Sequence, residues 1–389
     1  MTATTAPPPA AIDRPLAGAD DPAIGRPGSR VMSIDALRGF DMFWIIGTEE
    51  IFAALSKYLH RDIEKQLDHA PWAGFHFYDL IFPLFAFIIG TTLVFSLGKA
   101  IATAGKGAAT IKILKRSVIL YLLGLFYYGG FSGTIDHIRL MGVLQRLAIC
   151  YCFAGLAFVW LSPRAMLIAC VGILVGYWAL LTFVPVPGVG AGNYAEGKNL
   201  TNYIDKTYLP WRKWDGDHDP EGLLSNLPAI ASSLLGVFAG LLLKNPIPTQ
   251  RRKVNLLLLW GVAGIACGLL WGLQFPIIKK IWTSSFVLLT AGISAILLAA
   301  FYWIIDIKNY RAWAKPFVWI GMNAITVYLA RNVIGFEKVA QRLVGGDVEG
   351  ALNRKFGDGF GELIVAIVGL GLAIWFVWFL YRRKIFLRV

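Results

Sequence analysis

Charged residues are scarce in this sequence, since Asp, Glu, Lys and Arg make up only 16% of its 389 residues. Soluble domains carry about 25% charged residues. Hydrophobic residues instead account for 57% of the chain. They fall in runs of about 20 residues, the length at which a helix crosses the hydrocarbon core of a bilayer. This composition excludes an ordinary soluble domain and predicts an integral membrane protein.

Cysteine is also rare, and every cysteine lies inside an apolar run. No two of them stand at paired loop positions or at the spacing of a zinc site. We therefore expect neither structural disulfides nor a bound metal. The four cysteines are Cys150, Cys152, Cys170 and Cys267.

The basic residues form no single patch, although the net charge is +13. A nucleic-acid-binding protein would cluster them on one face or arm. Here they lie in short loops between apolar runs, which is typical of signals that set membrane topology. We therefore expect a lipid bilayer as partner and no nucleic acid. Residues 1–30 lack the pattern of a signal peptide, and we interpret them as a disordered cytoplasmic tail.

The apolar runs predict an all-α polytopic membrane protein of about ten transmembrane helices. The join between the seventh and eighth runs is the least regular, because Pro276 and the Lys279–Lys280 pair interrupt a nearly continuous apolar stretch. The predicted segments are 33–55, 78–98, 112–130, 139–161, 165–185, 224–243, 254–275, 282–304, 314–335 and 361–381.

Alternate loops are rich in Lys and Arg, and so is the C-terminal end of the chain. Because such loops stay in the cytoplasm, both termini are predicted to be cytoplasmic, with residues 31–389 forming one transmembrane domain. The opposite side receives loop 186–223, which is too long for a simple connector. Its aromatic residues fit an ordered extracytoplasmic cap or an interfacial aromatic belt.

Several ionisable residues fall at membrane depth, where they are expensive and usually serve a function. Asp35 and Arg38 share one face of the first segment and can pair with each other. Glu49 and Glu50 lie at the far end of that segment. Arg146 lies several residues inside the fourth apolar run, so it needs an acid or a ligand phosphate as partner.

Two histidines and Asp68 precede the second segment, and Asp79 lies at its start. A histidine paired with a carboxylate is typical of a general base, because the carboxylate fixes the tautomer and supports the imidazolium. A plain surface role is the alternative for a loop histidine. The histidines are His69 and His76.

Further polar residues stand at the ends of later segments. Asp219 and Glu221 precede the sixth segment, where acids suit a helix N-terminus as much as a substrate. Asn323 lies in the ninth. The residues alone therefore predict an interior polar cavity with a histidine near its outer mouth, which fits an enzyme and a transporter equally well.

Five motifs occur in order along the chain, and with them it resembles the transmembrane acyltransferases related to lysosomal heparan-α-glucosaminide N-acetyltransferase. The first motif is Ser33-Ile34-Asp35-Ala36-Leu37-Arg38-Gly39, and the second is His69-Ala70-Pro71-Trp72-Ala73-Gly74 followed by Asp79-Leu80-Ile81-Phe82-Pro83 and Phe87-Ile88-Ile89-Gly90. The third is Ile138-Arg139 with Gly142-Val143-Leu144-Gln145-Arg146-Leu147, and the fourth is Asp219-Pro220-Glu221-Gly222-Leu223-Leu224. The fifth is Gly321-Met322-Asn323 with Val327-Tyr328 and the ending Tyr381-Arg382-Arg383-Lys384-Ile385-Phe386.

The resemblance implies an enzyme, an N-acetyltransferase of a bacterial inner membrane that uses cytosolic acetyl-CoA and acetylates a glucosamine-like amino sugar at the extracytoplasmic face. It implies that His69 is the catalytic histidine, oriented by Asp79, and it is consistent with a homodimer. We expect Arg38, Gln145 and Arg146 to contact acetyl-CoA. The residues expected to contact the acceptor are Glu49, Glu50, Trp72, Asp219, Glu221 and Asn323.

The acceptor and the mechanism stay open at this point. Where the lysosomal enzyme has an Asn, this chain has Thr48-Glu49-Glu50, and such a carboxylate pair can bind an ammonium group or act as a base. The acceptor is thus a free amino sugar, a cell-wall saccharide or a hydroxyl. His69 fits a general base and an acyl carrier. The rival hypothesis is a small-molecule transporter that uses the same cavity without acyl transfer.

Overall fold

The computed structural model describes residues 31–55, 61–130 and 132–386, apart from the side chains of Glu49, Arg61 and Glu64. The predicted tail, residues 1–30, lies outside the described part of the chain. The described residues form α-helices, short 3₁₀ and π-helical turns and two isolated β-bridges. The all-α class is therefore confirmed.

Fifteen α-helices lie within the described ranges: α1 (Met32–Ile45), α2 (Thr48–Leu55), α3 (Arg61–Gln66), α4 (Ile81–Tyr127), α5 (Val143–Trp160), α6 (Pro163–Phe183), α7 (Leu200–Tyr208), α8 (Asn226–Lys244), α9 (Gln250–Gly272), α10 (Ser284–Phe301), α11 (Lys315–Met322), α12 (Ala324–Ile334), α13 (Phe336–Val344), α14 (Asp347–Phe356) and α15 (Phe360–Arg382).

Among the described residues, seven helices are long and apolar enough to cross a membrane, or eight if the bent pair α11 and α12 is one span. The chain is therefore a polytopic membrane protein. The count of ten and the cytoplasmic position of both termini stay predictions. The range α4 contains two of the predicted segments, and the non-helical backbone of Gly105 (φ 81°, ψ 175°) divides it into two helices between them.

Two other predicted segments are broken rather than continuous. The first is divided into α1, with 14 residues, and α2, with 8 residues. The ninth is divided at Asn323, where α11 and α12 meet at a bend of 78°. A break in a span exposes backbone groups that are tolerated only inside the protein or beside a cavity. Both breaks lie inside the protein, since Ile46 at the first and Ala324 at the second are buried.

Helices α1 and α11 pack with their backbones in contact. A Cβ atom on Gly39 would lie 1.6 Å from the carbonyl oxygen of Phe317, and one on Gly321 would lie 1.9 Å from that of Asp35. Small residues allow such close approach between membrane helices. The two glycines thereby fix the first helix against the broken ninth segment.

Three loop segments meet on one face of the helix bundle, and we call them the loop layer: residues 67–76, 186–225 and 274–283. The indole Nε1 of Trp72 donates to the carbonyl oxygen of Tyr194 at 2.9 Å. The backbone N–H of Gly74 donates to the carbonyl oxygen of Ile277 at 2.9 Å, beside a β-bridge between Ala73 and Ile278. The alternation of loops along the chain predicts that these segments share one side.

Loop 186–223 is folded rather than a simple aromatic belt. Asn199 caps α7 by accepting from the backbone N–H of Asn202 at 2.9 Å. The carboxylate of Asp205 is fully buried and accepts from the backbone N–H of Leu223 at 2.8 Å. Asp205 thereby ties α7 to the segment that leads into α8. These contacts favour the ordered cap over the interfacial belt.

Candidate active site

His69 and Asp79 form a hydrogen-bonded pair at the start of α4. The Nδ1 atom of His69 lies 2.9 Å from Oδ1 of Asp79, and the imidazole is 51% exposed whereas the carboxylate is 1% exposed. The other carboxylate oxygen accepts from the backbone N–H groups of Ala70 at 3.2 Å and His76 at 3.0 Å. The buried acid is thus held by the loop, and it fixes one edge of the imidazole.

His76 takes a different position in the same loop. Its Nδ1 lies 3.1 Å from the carbonyl oxygen of Asp68, and its backbone N–H serves Asp79. Of the two candidate histidines, the structure therefore brings only the imidazole of His69 onto the buried carboxylate.

Lys279 lies beside this pair. Its ammonium is 2.9 Å from Nδ1 and 3.2 Å from Nε2 of His69, and 3.3 Å from Oδ1 of Asp79. The β-bridge between Ala73 and Ile278 brings the two loops together and so places the lysine. Burial lowers the pKa of Lys279 below its usual value, while the charges of Asp79 and Glu221 oppose that shift.

A cavity of about 240 Å³ extends from these groups into the helix bundle. Its polar end contains His69, Tyr78, Glu221, Lys279 and Arg331. The rest of the wall is mostly apolar and comes from α1, α4, α5 and α12. These lining residues are Met42, Ile45, Ile81, Phe82, Phe85, Tyr127, Val143, Leu144, Leu147, Ile325 and Tyr328.

Asp219 and Glu221 share one buried arginine. The guanidinium of Arg139 donates to both oxygens of Asp219, at 2.8 Å and 2.7 Å, and to Glu221 at 2.6 Å. Burial opposes the charge of Arg139, but the bond to Asp219 and the charge of Glu221 raise its pKa above the usual value. Burial raises the pKa of Glu221. Asp219 therefore anchors the loop layer, whereas Glu221 also faces the cavity.

Arg146 and Gln145 lie beneath the loop layer, and neither lines the 240 Å³ cavity. Arg146 is 1% exposed and donates to the carbonyl oxygen of Pro220 at 3.0 Å, with its guanidinium 4.7 Å from the ring centre of Trp282. Its Nε and Nη1 atoms have no hydrogen-bond partner among the described residues. Gln145 donates to the carbonyl oxygen of Arg139 at 3.3 Å.

Arg38 lies at the other end of the candidate region, on α1. It is 22% exposed, lies 3.8 Å from Asp35, and donates to the carbonyl oxygen of Gly321 at 3.2 Å. The structure therefore does not bring the predicted acetyl-CoA residues together. Arg38 is at the surface of the bundle, whereas Gln145 and Arg146 are enclosed within it.

Neither Trp72 nor Asn323 lines the cavity, and Glu50 reaches it only through a neighbouring arginine. Glu50 forms an ion pair with Arg331, which lines the cavity. Trp72 is held by Tyr194, as described above. Asn323 is 2% exposed at the bend between α11 and α12, and its side-chain atoms have no hydrogen-bond partner among the described residues. The side chain of Glu49 lies outside the described part of the structure.

Three cations at this site were not predicted as functional residues: Arg139, Lys279 and Arg331. Each had a signal in the sequence, however. The Lys279–Lys280 pair interrupts an apolar stretch, Arg331 lies inside the ninth segment, and Arg139 opens the fourth. Their acidic partners are distant in sequence, so only the fold identifies the pairs.

The fold and the site together define a class: a polytopic membrane protein with a histidine–carboxylate–lysine group at the mouth of an internal cavity. No protein-family model matches the chain. The chain is, however, similar to heparan-α-glucosaminide N-acetyltransferase of Homo sapiens, at 26% identity over 447 residues that cover 96% of this chain and 63% of that protein.

The protein of the same name from Mus musculus is also similar, at 26% identity over 333 residues that cover 68% of this chain and 49% of the mouse protein. The chain thus spans about half to two thirds of the length of these curated relatives. The similarity is distant, but to the human protein it extends over nearly the full length of this chain, as the five ordered motifs indicate.

Proposed function

We propose that this chain is a membrane-embedded acyltransferase that moves an acetyl group from cytosolic acetyl-CoA to an amino sugar. One observation carries the proposal: the exposed imidazole of His69 is bound at Nδ1 by the buried carboxylate of Asp79, at the mouth of a cavity that enters the bundle. The distant similarity to a membrane N-acetyltransferase supports the same reaction class.

His69 is proposed as the group that removes a proton from the acceptor. With Nδ1–H donated to Asp79, the lone pair is on Nε2, 3.2 Å from the ammonium of Lys279, and the carboxylate stabilises the imidazolium that forms. An amino sugar arrives protonated, so its nitrogen attacks the thioester only after His69 removes a proton. The C–S bond then breaks, and the CoA thiolate leaves as the thiol with the second proton of the amine. The same Nε2 atom is also suited to accept the acetyl group itself, as an acyl carrier.

Lys279 is proposed to stabilise negative charge during the transfer. Its ammonium lines the cavity and lies 3.2 Å from Nε2 of His69, the ring nitrogen that carries the lone pair. Attack on a thioester places a negative charge on the carbonyl oxygen, and a fixed cation or hydrogen-bond donor at that point accelerates acyl transfer. The lysine also keeps Asp79 ionised beside His69.

The cavity fits part of acetyl-CoA. Its volume of about 240 Å³ is below the roughly 300–1,000 Å³ of sites that enclose whole drug-sized ligands. It therefore accommodates the acetyl thioester and the adjoining part of the pantetheine arm, and the nucleotide stays outside. Acetyl-CoA supplies the activated acetyl group. Arg38, which is partly exposed, is the proposed contact for its phosphates, and Gln145 and Arg146 support the cavity wall.

The acceptor is proposed to bind at the polar end of the cavity. Glu221 lines that end, and Glu50 forms an ion pair with Arg331, which also lines it. Both acids are suited to hold the ammonium group of an amino sugar. Trp72 belongs to the same loop as His69 and offers an aromatic face to a sugar ring. Glu49, Asp219 and Asn323 are proposed to shape this region.

The test is transfer of a labelled acetyl group from acetyl-CoA to glucosamine by the purified protein in detergent. We expect an acetylated amine with the wild-type chain and a loss of about 10²–10⁴-fold in His69→Ala, the usual contribution of a general base. His137→Ala is the matched control, because His137 is exposed and its imidazole bonds to the hydroxyl of Thr134, away from the cavity lining. Wild-type activity in His69→Ala would refute the assigned role.

Two further measurements separate the open alternatives. Labelled protein recovered after mixing with acetyl-CoA alone supports an acyl carrier, whereas its absence supports direct transfer. Uptake of glucosamine into proteoliposomes that contain no acyl donor would favour the transporter instead. A screen of amino sugars, cell-wall saccharides and hydroxyl acceptors identifies the acceptor class. The inner-membrane location and the homodimer are also proposed, on the basis of the resemblance to the same family.

A further inference from the structure

A second cluster of ionisable side chains lies in the loop layer, away from His69. Glu196, Asp215 and His218 each direct one possible ligand atom to a common point, and these three atoms lie within 4.8 Å of one another. The Nε2 atom of His218 is 3.6 Å from Oε1 of Glu196 and 3.8 Å from Oδ2 of Asp215. None of the three residues lines the cavity of the candidate active site.

The imidazole of His218 is oriented as a ligand. It is 5% exposed, and its Nδ1 lies 2.8 Å from Oδ1 of Asp217. In the neutral imidazole, which is the form that binds a metal, this bond places the ring proton on Nδ1 and leaves the lone pair on Nε2. The Nε2 atom is buried, has no hydrogen-bond partner among the described residues, and faces the two carboxylates. Metal-binding histidines are held by a carboxylate in the same way.

The two carboxylates already hold a cation, the ammonium of Lys280. Its Nζ atom is 3.1 Å from Oε1 of Glu196 and 3.0 Å from Oδ2 of Asp215. The side chain of Lys280 is 31% exposed, so it can turn towards solvent on its flexible stem. An ion of higher charge that also binds His218 can therefore replace the ammonium.

We propose that Glu196, Asp215 and His218 bind a divalent transition-metal ion of the zinc type, which displaces the ammonium of Lys280. Tetrahedral zinc with ligands at about 2.0–2.1 Å places the ligand atoms about 3.4 Å apart. The observed separations of 3.6 Å and 3.8 Å from Nε2 need to close by only a few tenths of an ångström. One nitrogen and two carboxylate ligands suit zinc, whereas magnesium and calcium prefer oxygen ligands alone.

The metal occupies the loop layer and takes no part in the chemistry at His69. It joins the turn at Asp215 to the segment before α7, and it frees Lys280 from both acids. The ring centres of His218 and Trp72 are 6.5 Å apart, so the ion stiffens the loop that carries the candidate catalytic histidine. The spacing of these ligands in the sequence predicts no metal site, because the fold brings distant residues together.

The experiment uses the full chain, purified in detergent without a histidine tag, stripped with EDTA and then dialysed against zinc ions. We expect about one zinc ion per chain, measured by elemental analysis, and tetrahedral absorption bands when cobalt replaces zinc. The variant Lys280→Gln removes the internal cation, so its affinity for zinc should rise at least about tenfold. His218→Ala and Asp215→Asn should each lose at least about 100-fold, since each removes a ligand.

Two further variants keep the test decisive. Asp217→Asn changes an exposed residue, and it should weaken zinc binding about 10–100-fold, as removal of a residue that orients a metal-bound histidine does. His137→Ala is the matched histidine control and should bind zinc as the wild type does. Failure of both the wild type and Lys280→Gln to bind zinc overturns the proposal. Zinc binding that is unchanged in Asp217→Asn and Asp215→Asn also overturns it.

Discussion

The ammonium of Lys279 and the imidazole of His69 lie in direct contact, with Nζ 2.9 Å from Nδ1 and 3.2 Å from Nε2. The same ammonium is 3.3 Å from Oδ1 of Asp79. Two loops that are 210 residues apart in sequence therefore supply one three-membered group. Because the acid is buried, both partners are held by a charge that water does not screen well.

Removal of the lysine charge should slow transfer. In Lys279→Met we expect kcat to fall about 10²–10³-fold, the usual effect of losing one donor to a developing oxyanion. The change should affect kcat more than KM, because the charge forms only during the reaction. Steady-state kinetics with labelled acetyl-CoA measure both. Lys198→Met, an exposed lysine in the loop layer, is the control, and a wild-type kcat in Lys279→Met contradicts the proposal.

Asp79→Asn should abolish most activity while the loop stays folded. The asparagine keeps one oxygen for the backbone N–H groups of Ala70 and His76. Its amide N–H₂ faces Nδ1 of His69 and so selects the tautomer whose Nε2 carries the proton. We expect kcat to fall about 10⁴-fold, as when the acid of a catalytic triad is amidated.

The control for that variant is Asp136→Asn, because Asp136 is exposed in the loop after α4. Fluorescence of the purified variants should give similar melting temperatures for both. If Asp79→Asn melts normally and keeps more than about a tenth of the wild-type kcat, the carboxylate does not set the tautomer of His69.

The stability of the loop layer should depend on pH through Asp205. Burial raises the pKa of this carboxyl from 3.8 to about 6, although the backbone N–H of Leu223 opposes the shift. A raised folded-state pKa means that the neutral form stabilises the fold. This contribution is fully present below pH 3.8 and is lost as the pH rises through about 6. Its size is at most about 3 kcal/mol.

The melting temperature of the wild type should therefore fall between pH 4.5 and pH 7.5. In Asp205→Asn this part of the pH dependence should be absent, because the amide does not ionise. Asp347→Asn, an exposed acid at the start of α14, should keep the wild-type profile. If the melting temperature of Asp205→Asn falls with pH as that of the wild type does, the pH dependence belongs to another group.

The glycine contact between α1 and α11 should tolerate no side chain. A methyl group on Gly39 would lie 1.6 Å from the carbonyl oxygen of Phe317, so Gly39→Ala must push the two backbones apart. We expect a loss of about 1–3 kcal/mol in the free energy of unfolding. Gly371→Ala is the matched control, because a Cβ atom there meets nothing within 4 Å. Equal melting temperatures of the two variants would contradict this packing.

Much of the fold follows from the sequence, because apolar length and helical hydrogen bonding leave few alternatives in a bilayer. The predicted segments correspond to helices or to broken helix pairs. The breaks themselves were not predicted. At Asn323 the apolar pattern continues across the bend. The break at Gly105, by contrast, lies in the predicted join between the second and third segments. A hydropathy profile measures how apolar a segment is, and it does not show where the helix axis bends.

The candidate site was predicted only where its members are close in sequence. His69 and Asp79 are ten residues apart, and the short loop between them is enough to bring the two side chains into contact. Lys279 and the pairing of Arg139 with Asp219 depend on tertiary packing. Arg146 illustrates the same point, because its depth predicts an anionic partner, whereas the structure gives its Nη2 atom a backbone carbonyl oxygen.

The imidazole of His69 has about half of its surface in solvent, at 51% exposure. Such a base meets water as readily as it meets an acceptor, so an acyl donor held in the cavity is exposed to hydrolysis. The proposed acyltransferase is therefore expected to hydrolyse acetyl-CoA slowly, as a side reaction or leak, when no acceptor is present. The acceptor that suppresses this leak at the lowest concentration is then the one for which the mouth of the cavity is shaped.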